Sequence, residues 1–513
     1  IPEIATLQKV RNRPGTLKNA QIWARQATRD TLNQIQVFQR FYTFWDVDAD
    51  RYYLTDPATG TMEYRQVMIS ARELDLDIDK LTPHPWVTRR LIYTHGYGLC
   101  LGPVNQFTPE GMPHLWIRGI PFEISHPGFK VTRPEIYYGE VTRGYVFVDT
   151  AQKEFDHPEM KGADKVENRY TRYEGTGGIP LKSFFRRFMF ALRFRDFRIV
   201  ISEHLDHDSR IIFNRQIQDR TERIAPFLLF DEDPYIVIGN SGRLWWVIDA
   251  YTISKYYPYS EPYRGTSGTF NYIRNPLKAV IDAYNGTVDF YVWDESEIMV
   301  KIYAKAFPGL FKSRKDMPDG LDKHIRYPSD LTQIQSEMYC QYHMQDPQTF
   351  YAKSEQWDLP FEIYELGKKQ PVVPLYLMIQ LPDGKGDEFT SVMSFTPYPT
   401  SNRPNMVAWM AIRNDEPHYG EIMVYAFPKG QTIPGPAQIE ARIDTNKDLS
   451  EKLSLWNQGG SQVLRGNMLT LPIDNALFYV EPLYLQSGLT KMPLLTEVIV
   501  VAGDQIAWAE NLD

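Results

Sequence analysis

Alternating apolar and polar residues mark both ends of the chain. Between Tyr52 and about Thr150, the runs MEYRQVMIS, LWIRGIPFEI and GYVFVDT are separated by Pro and Gly. Beyond residue 374 the pattern returns in YLMIQL, FTSVMSFT, MVAWMAI, EIMVYAF, AQIEARI, VLRGNMLTL, ALFYVEPLYL and EVIVVAG. Such alternation is typical of strands with one buried face. We therefore predict β-sheet at both ends, interrupted near the C terminus by one helix, DLSEKLSLW.

Apolar residues at helical intervals predict helices at the N terminus and in the middle. The segment Ile22–Phe44 contains no Pro or Gly and has the spacing of an amphipathic helix. The other predicted helices are LKSFFRRFMFALRF after Pro180, FNRQIQDRTERIA, LKAVIDAY capped by Asn275 and Pro276, and the segments 296–306, 330–344 and 347–357. We expect residues 151–357 to be mostly helical. The whole pattern predicts an α+β fold with a β-rich N-terminal part, a helical middle and an antiparallel β-rich C-terminal part.

The length indicates more than one folding unit. Because 513 residues exceed what one core usually supports, we expect a helical segment 1–45, an α+β domain 46–365 and a β-rich domain 366–513. No apolar run reaches the ~20 residues of a membrane helix, and the first residue is Ile. We therefore expect a soluble segment of a longer protein.

Charge and cysteine content exclude several classes of function. The net charge is −8 and the basic residues are scattered among acidic sequence, so we do not expect nucleic acid as a partner. Cys100 and Cys340 lie far apart and form no CxxC motif, which excludes a zinc ribbon or a thioredoxin motif. Whether the two cysteines form a disulfide stays open.

The stretch IYTHGYGLCLGPVN contains the first candidate for catalysis, His95. HGYG resembles the HGGG loop of lipases, whose backbone N–H groups stabilise an oxyanion. That chemistry needs a nucleophile elbow, and the sequence contains no G-x-S-x-G. The alternative is that Gly96 and Gly98 supply backbone conformations that other residues avoid.

Carboxylates beside aromatic residues provide the second set of candidates. They occur in FDEDPY, WWVIDAYT and YYPYSEPY. Aromatic faces and carboxylates bind sugars, and glycosidases cleave with two carboxyl groups. The candidates for catalysis are Asp233, Asp249 and Glu140, and those for glycan contact are Asp231, Trp245, Trp246, Tyr257, Tyr259 and Glu261. The alternative is that both tryptophans belong to the core and that Asp249 is a buried structural acid.

Four segments have the composition of cation sites. DVDADR and DLDIDK lack the Gly and Glu of an EF-hand loop, and SEHLDHDSR, which has two histidines, lacks a partner set and is expected to be a polar turn. In DTNKDLSE, an irregular Ca²⁺ site could use Asp444, Asn446 and Asp448. The favoured interpretation is a capping box in which Asp448 and Glu451 start the following helix.

The helix LKSFFRRFMFALRFRDFR combines many phenylalanines with many arginines. A basic, aromatic helix can lie on an anionic membrane surface. Because phenylalanines surround most of the helix, we expect instead a core helix with a basic solvated face.

A series of short motifs, taken in order, resembles the uncharacterised protein family 0182 of bacteria and archaea. They are THGYG, PVN, IYYGE, GGIPL, FALRF, IAPFL, IDAYT, YPYS, NYIRN, FPGLF, YHM, DP, QIEARI and YVEPLYL. The resemblance covers roughly residues 40–500. Two features depart from it: WNQGGS at residues 456–461 has no Arg before Gly-Ser, and the histidines of SEHLDHDSR lie outside the shared pattern.

The resemblance implies a multi-pass membrane protein whose N-terminal transmembrane helices precede a large extracytoplasmic domain, periplasmic or extracellular. It implies no activity. We therefore expect a domain that binds a ligand or acts as a scaffold at the cell envelope, with the membrane and an envelope glycan as partners. The alternatives are an envelope hydrolase acting on glycan or another polymer, and an accessory domain of a transport or assembly system.

Overall fold

The computed structural model describes residues 14–76, 85–161, 165–265, 268–365, 368–382, 384, 386–399, 404–473 and 476–512. Its α-helices, numbered α1 to α10, are Pro14–Lys18, Arg25–Ile35, Phe184–Phe194, Arg198–Ile201, Ile217–Ile224, Ile298–Ala306, Ser329–Tyr342, Pro347–Ala352, Pro436–Thr445 and Lys447–Trp456. A π-helical turn spans Thr88–Ile92, and 3₁₀ turns span Arg314–Asp316 and Leu321–His324.

The strands are numbered β1 to β35 along the chain. Strands β1 to β13 are Tyr42–Phe44, Asp48–Thr55, Met62–Leu74, Gly96–Tyr97, Leu99–Pro103, Ile117–Arg118, Glu123–Ile124, Glu135–Ile136, Val146–Val148, Glu154–Lys161, Lys165–Thr171, Ile179–Pro180 and Arg210–Ile212. Strands β14 to β21 are Leu229–Phe230, Tyr235–Ile238, Leu244–Ser254, Tyr263–Gly265, Gly268–Phe270, Tyr272–Asp282, Val288–Val292 and Phe311–Ser313. Strands β22 to β35 are Trp357–Asp358, Phe361–Glu365, Lys368–Pro371, Leu375–Gln380, Asp387–Pro397, Asn405–Met406, Ala408–Arg413, Ile422–Ala426, Ile433–Pro434, Ser461–Arg465, Leu469–Ile473, Ala476–Ser487, Pro493–Ala502 and Gln505–Ala509.

Four larger sheets form the framework. Their strand orders are β1-β3-β5-β6-β7 with β2 on β3, β14-β16-β19-β20-β21 with β15 on β16, β22-β26-β28-β29 with β25 on β26, and β24-β23-β31-β33-β34-β35 with β32 on β33. A three-stranded sheet, β12-β13-β9, and the pairs β10-β11, β17-β18, β27-β30 and β4-β8 complete the sheets of the described residues. Pairing is antiparallel except between β20 and β21. The predicted mixed α+β class is confirmed.

The predicted helix LKAVIDAY is wrong, because these residues form the central strand β19. β19 pairs with β16 along one edge and with β20 along the other. Its residues from Pro276 to Asp282 are all buried, so both faces are covered and the run does not alternate between apolar and polar residues. Pro276, taken as a helix start, lies where the pairing of β16 with β19 shifts its register, a position that tolerates a residue without an N–H donor. Long strands therefore run between the helices of the middle region.

The predicted strand AQIEARI is also wrong, because it belongs to helix α9. Ile439 and Ile443, four positions apart, are both buried, and Pro436 occupies the first turn. A Pro followed by apolar residues four positions apart predicts a helix. In AQIEARI the apolar and polar residues also alternate, which favoured the strand prediction.

Three predicted helices have different bounds. The N-terminal helix α2 ends at Ile35 and the chain returns as strand β1. Helix α3 starts at Phe184, where Ser183 accepts a hydrogen bond from the backbone N–H of Arg186, so Pro180 does not open it. Helix α8 ends at Ala352 because Lys353 adopts a left-handed conformation, φ 52°.

The N-terminal helical segment packs into the same hydrophobic cluster as C-terminal strands. Trp23 contacts the ring of Tyr484 at 5.5 Å between centroids, and Tyr484 donates a hydrogen bond to the carbonyl of Ile22 (2.6 Å). Thr31 donates to the carbonyl of Pro493 (3.0 Å). The two ends of the chain therefore share one core.

No helix within the described ranges combines the length and the apolar character that crossing a bilayer requires. Cys100 and Cys340 are both buried free thiols.

Candidate functional site

A cavity of about 630 Å³ opens beside β19 and β20. Helix α7, the 3₁₀ turn Arg314–Asp316 and the loop after β28 form its other walls. Its lining includes aromatic residues, cations, acids and amides: Trp293, Tyr327, Tyr419, Arg274, Arg314, Lys315, Asp294, Glu295, Glu416, Asn275 and Gln335. The cavity is therefore lined by aromatic rings and by charged groups of both signs.

Two arginines of the cavity lining are paired with acids. The Arg314 guanidinium lies 3.6 Å above the Trp293 ring and contacts the Glu416 carboxylate at 2.6 Å. Arg274 contacts Asp294 at 2.5 Å. Pairing fixes the orientation of both guanidinium groups, and Arg314 also holds the indole of Trp293.

A buried lysine supports the floor of the cavity. Lys278 on β19 forms an ion pair with Asp249, which lies opposite it on β16. Its Nζ also donates to Asn275 Oδ1 (2.5 Å) and to the Tyr419 hydroxyl (2.8 Å). Burial lowers the pKa of Lys278, against the opposing effect of Asp249. Asp249 is therefore a structural counter-ion and does not line the cavity.

The polar network continues from the floor into the protein. The Tyr419 hydroxyl donates to the carbonyl of Arg326 (3.2 Å). The Arg326 guanidinium donates to Asp48 (3.0 Å) and to Asp233 (3.1 Å). The cavity is thereby connected to a buried acidic cluster.

This acidic cluster consists of Asp46, Asp48 and Asp233, whose oxygens lie within 4.8 Å of one another. Arg25 donates to Asp46 (2.6 Å) and to Asp233 (2.9 Å). Such oxygens could bind a divalent cation, but the guanidinium groups of Arg25 and Arg326 already supply the positive charge. The cluster is therefore an ion network that joins α2 to the loop after β14.

The pKa values in the cluster diverge. Burial raises the pKa of Asp48 to about 8, and Arg326 only partly offsets this effect. For Asp233 the charges of Arg25 and Arg326 outweigh burial and lower the pKa to about 2. Asp233 therefore stays ionised and cannot act as a general acid near neutral pH.

Glu140, another sequence candidate, belongs to the same electrostatic environment. Burial and the charges of Glu73 and Asp48 hold its pKa well above the usual range. Its backbone N–H donates to Glu73 (3.0 Å). The structure thus brings Glu140 and Asp233 into one acidic region, although they are 93 positions apart.

Asp231 is a buried acid that supports the loop of Asp233. It accepts hydrogen bonds from the Tyr251 hydroxyl and from the backbone N–H of Asp233 (2.9 Å). Burial, together with the charge of Asp330, holds the pKa of Asp231 well above its usual range. Asp231 does not line the cavity, so glycan contact through it has no support here.

The two candidate tryptophans have structural partners. Trp246 is buried and donates to the carbonyl of Tyr138 (3.0 Å). Trp245 is half-buried and donates to Asp319 (3.2 Å). Neither lines the cavity, which favours the core interpretation of this pair.

The loop YYPYSEPY is on the surface. Tyr257 and Tyr259 are exposed, and the ring of Tyr257 stacks on Tyr272 at 5.4 Å between centroids. Glu261 is also exposed and interacts with Tyr342. These residues do not line the cavity either.

Two of the candidate Ca²⁺ ligands, Asp444 and Asn446, have protein partners. Asp444 forms an ion pair with Arg465. The Asn446 side chain accepts from the backbone N–H groups of Asp448 and Leu449, each at 3.2 Å. Asn446, and not Asp448, is therefore the N-cap of α10, so the predicted capping box is wrong. The geometry gives no support to Ca²⁺ at these oxygens.

Of the two glycines beside His95, Gly98 has the predicted conformational role, whereas Gly96 has a steric role. Gly98 adopts φ +69°. At Gly96 a Cβ would lie 2.4 Å from the carbonyl oxygen of Arg72. His95 itself is buried, and its Nδ1 lies 2.9 Å from the carbonyl of Gly96.

Helices α3 and α4 expose an apolar surface, which contradicts the expected core helix. This α3–α4 face consists of Phe184, Phe185, Met189, Leu192, Phe197 and Ile201. Phe185 is 70% and Ile201 75% exposed. On the opposite side of α3, Ala191, Phe190 and Phe194 pack into the core. Phenylalanines surround the helix because it uses two apolar faces.

Sequence analysis missed the residues that line the cavity. VWDESE at residues 292–297 has the same aromatic and acidic character as FDEDPY, so the same criterion could have identified Trp293 and Asp294. Arg314 and Tyr419 carried no comparable signal, because they reach the cavity from distant parts of the chain.

A model of the uncharacterised protein family UPF0182 matches residues 2–456. Similar curated proteins are each named UPF0182 protein. One from Desulforamulus reducens is 44% identical over 100% of this chain and 53% of its own length. One from Alkaliphilus metalliredigens is 45% identical over 99% of this chain and 52% of its own length. The chain thus spans about half the length of these relatives. No solved structure matches.

Proposed function

Because the chain belongs to the uncharacterised protein family UPF0182, whose name assigns no activity, we propose a function from the site. We propose that the chain is an extracytoplasmic, ligand-binding domain of a membrane protein and that its cavity binds an envelope glycan. The membrane and extracytoplasmic parts of this proposal rest on the resemblance described above.

The observation that carries the proposal is the composition of the cavity. Its volume of about 630 Å³ lies within the ~300–1,000 Å³ of small-molecule sites. Trp293 and Tyr419 offer aromatic surface, and Arg314, Asn275 and Gln335 offer oriented polar groups. A sugar presents apolar C–H faces and hydroxyl edges, so it needs this combination.

Binding is better supported than hydrolysis. A glycosidase needs one carboxyl group with a raised pKa and a second carboxylate facing it. In the cavity, burial of Asp294 is outweighed by hydrogen bonds from Ser296 and Arg274, which lower its pKa. Glu416 is held by Arg314. The ionised Asp233 and the lysine-bound Asp249 lie outside the lining.

The α3–α4 face supports the association with a membrane. Between Leu181 and Ile201 the sequence contains six basic residues and one acid, in a chain of net charge −8. Exposed apolar side chains flanked by cations are suited to the surface of an anionic bilayer.

Calorimetric titration and thermal melting with a panel of soluble glycans test the ligand. The panel consists of N-acetylglucosamine oligomers, peptidoglycan fragments and poly(glycerol phosphate). We expect one member to bind and to raise the melting temperature. Trp293→Ala is expected to weaken that binding at least about tenfold, since it removes the aromatic face. Trp45→Ala, an exposed tryptophan outside the lining, is the matched control. A flat response across the panel would instead favour a scaffold.

A further inference from the structure

His95, Glu135, Asp156 and His157 are brought together around the short ladder β4-β8. Tyr97 lies opposite Glu135 in this ladder, and opposed residues project from the same face. His95 lies two positions before Tyr97, and Tyr137 lies two positions after Glu135, so both are expected on the same face. The ring of His95 lies 5.0 Å from that of Tyr137, in agreement with this placement. Strand β10 covers the face: the ring of His157 lies 5.0 Å from that of Tyr97.

Within the part of the chain that the structure describes, each of these four side chains has a buried polar atom without a hydrogen-bond partner. The atoms are His95 Nε2, Glu135 Oε2, Asp156 Oδ1 and His157 Nδ1. Buried polar atoms are normally hydrogen-bonded, and leaving one unpaired is costly. Four such atoms on side chains around one short ladder, all of types that bind metal ions, point to a missing common partner.

The state of His95 suits metal binding. Its Nδ1 faces the carbonyl of Gly96 at 2.9 Å, so this nitrogen carries the proton and Nε2 presents a lone pair. Metal-binding histidines typically have this arrangement, in which the second nitrogen is fixed by a carbonyl. His95 is 1% exposed, and burial lowers its pKa, which keeps the ring neutral.

The contact between His157 and Asp156 is also informative. His157 Nδ1 lies 3.0 Å from Asp156 Oδ2, yet it forms no hydrogen bond by angle. His157 and Asp156 are therefore close together without a hydrogen bond between them. Two ligands of one metal ion have the same relationship. The register of β10 shifts between Phe155 and Pro158, and such irregularities redirect side chains.

We propose that His95, Glu135, Asp156 and His157 bind one divalent transition-metal ion, with Zn²⁺ as its representative. Two imidazole nitrogens and two carboxylates form a suitable donor set for this ion. The donors are not yet gathered within one coordination sphere, so binding requires rotation of the half-buried His157 and Asp156 side chains. The gathered cluster of Asp46, Asp48 and Asp233 is a poorer candidate, because Arg25 and Arg326 neutralise it.

The test is calorimetric titration of the whole chain with ZnCl₂ after treatment with a chelator. Absorption of the Co²⁺-loaded chain reports whether histidine nitrogens coordinate the ion. We expect one equivalent of Zn²⁺ to bind, and His95→Gln and His157→Gln each to weaken it at least about tenfold. His207→Gln, on an exposed turn, is the matched control and should bind like the parent.

Two results would overturn the proposal: no stoichiometric Zn²⁺ binding by the parent chain, or equal binding by all three variants. The first would mean that water alone satisfies the four atoms. If His95→Gln does not fold, the half-buried His157→Gln decides. The glycan titration uses a cavity that none of these residues lines, so either proposal can fail while the other stands.

Discussion

Lys278 is the buried cation under the cavity floor, and its removal leaves Asp249 uncompensated. Both side chains are almost fully buried. We expect Lys278→Met to lower the free energy of unfolding by about 3–5 kcal/mol, since a buried charge without its partner is strongly destabilising. Urea denaturation measures the change.

Lys312→Met is the matched control, because the side chains of the pair Lys312–Asp289 are partly exposed, 45% and 34%. Its loss should cost at most about 1 kcal/mol. Similar effects for the two variants would show that the buried pair does not carry the stability assigned to it.

Glu440 and Glu481 make stability depend on pH. Burial, together with the charge of Glu481, raises the pKa of Glu440 to about 8. Burial raises that of Glu481 to about 7 against the effect of Arg465. Between pH 4.5 and 8 the folded state therefore binds more protons than the unfolded state. Their contribution to stability is fully present below pH 4.5 and is lost progressively as pH rises from 4.5 to about 8.

We expect stability to fall less steeply with pH in Glu481→Gln. Gln is neutral at every pH, and loss of the Glu481 charge also lowers the pKa of Glu440. Neither oxygen of Glu481 has a hydrogen-bond partner in the described residues, so the exchange removes its ion pair with Arg465 (3.5 Å) but no hydrogen bond. Urea midpoints of parent and variant at pH 5 and pH 8 provide the comparison. A variant whose midpoint falls as steeply as that of the parent would contradict the assignment.

At this scale the sequence identified acids but not their roles. Asp233 and Asp249 were singled out because they lie beside aromatic residues. Their arginine and lysine partners lie elsewhere along the chain, so neither the ionised state of Asp233 nor the pairing of Asp249 could be predicted. Trp293 lies beside acids in the sequence, so the same criterion could have identified it. Tyr419 could not be identified in this way, because it reaches the cavity from a distant part of the chain.

The start of helix α10 distinguishes a cap from a cation site. Asn446 accepts two backbone N–H groups of this helix. We expect Asn446→Ala to lower the free energy of unfolding by about 1 kcal/mol and Asp448→Ala to have a smaller effect. Thermal melting with and without CaCl₂ should give the same midpoint, because the oxygens of Asp444 and Asn446 have partners. A rise of the midpoint with Ca²⁺ that disappears in Asn446→Ala would favour the cation site.

The α3–α4 face makes a prediction about vesicle binding. We expect the chain to sediment with phosphatidylglycerol vesicles and not with phosphatidylcholine vesicles, since apolar insertion and cation attraction act together. Phe184→Ser with Phe185→Ser should reduce the bound fraction at least about fivefold, because both rings are exposed. Tyr256→Ser with Tyr351→Ser removes two other exposed rings and should not. Equal binding by the two double variants would refute the assignment of this face.

Element type followed from the sequence for the helices α5 and α10, which have a solvated face, and also for α7 and most C-terminal strands. The pattern failed at β19, which is covered on both sides, and at α9, where helical spacing and alternation coincide in one short run. Those failures come from burial and length, which the local pattern does not encode.

The whole molecule is tied together by contacts between its two ends. Arg25, on α2, bridges Asp46 and Asp233, and Trp23 packs on Tyr484. The change of local pattern along the chain predicts domain boundaries at residues 45 and 365. Contacts across more than 400 positions leave no mark in that pattern, so the shared core could not be predicted.

The shared core makes a prediction about the C-terminal part in isolation. A fragment of residues 366–513 lacks Ile22, Trp23 and Leu32, which are buried in the same cluster as Leu471 and Tyr484. We expect this fragment to unfold without a cooperative transition and to bind a hydrophobic dye, because that surface stays exposed. Circular dichroism during heating and dye fluorescence measure both properties.

Joining residues 20–36 to the fragment through a flexible linker should restore cooperativity, since Tyr484 then regains the carbonyl of Ile22 and the N–H of Ala24 as partners. A fragment that melts cooperatively near the temperature of the full chain would show that the C-terminal part is an independent domain and that the N-terminal segment only covers its surface.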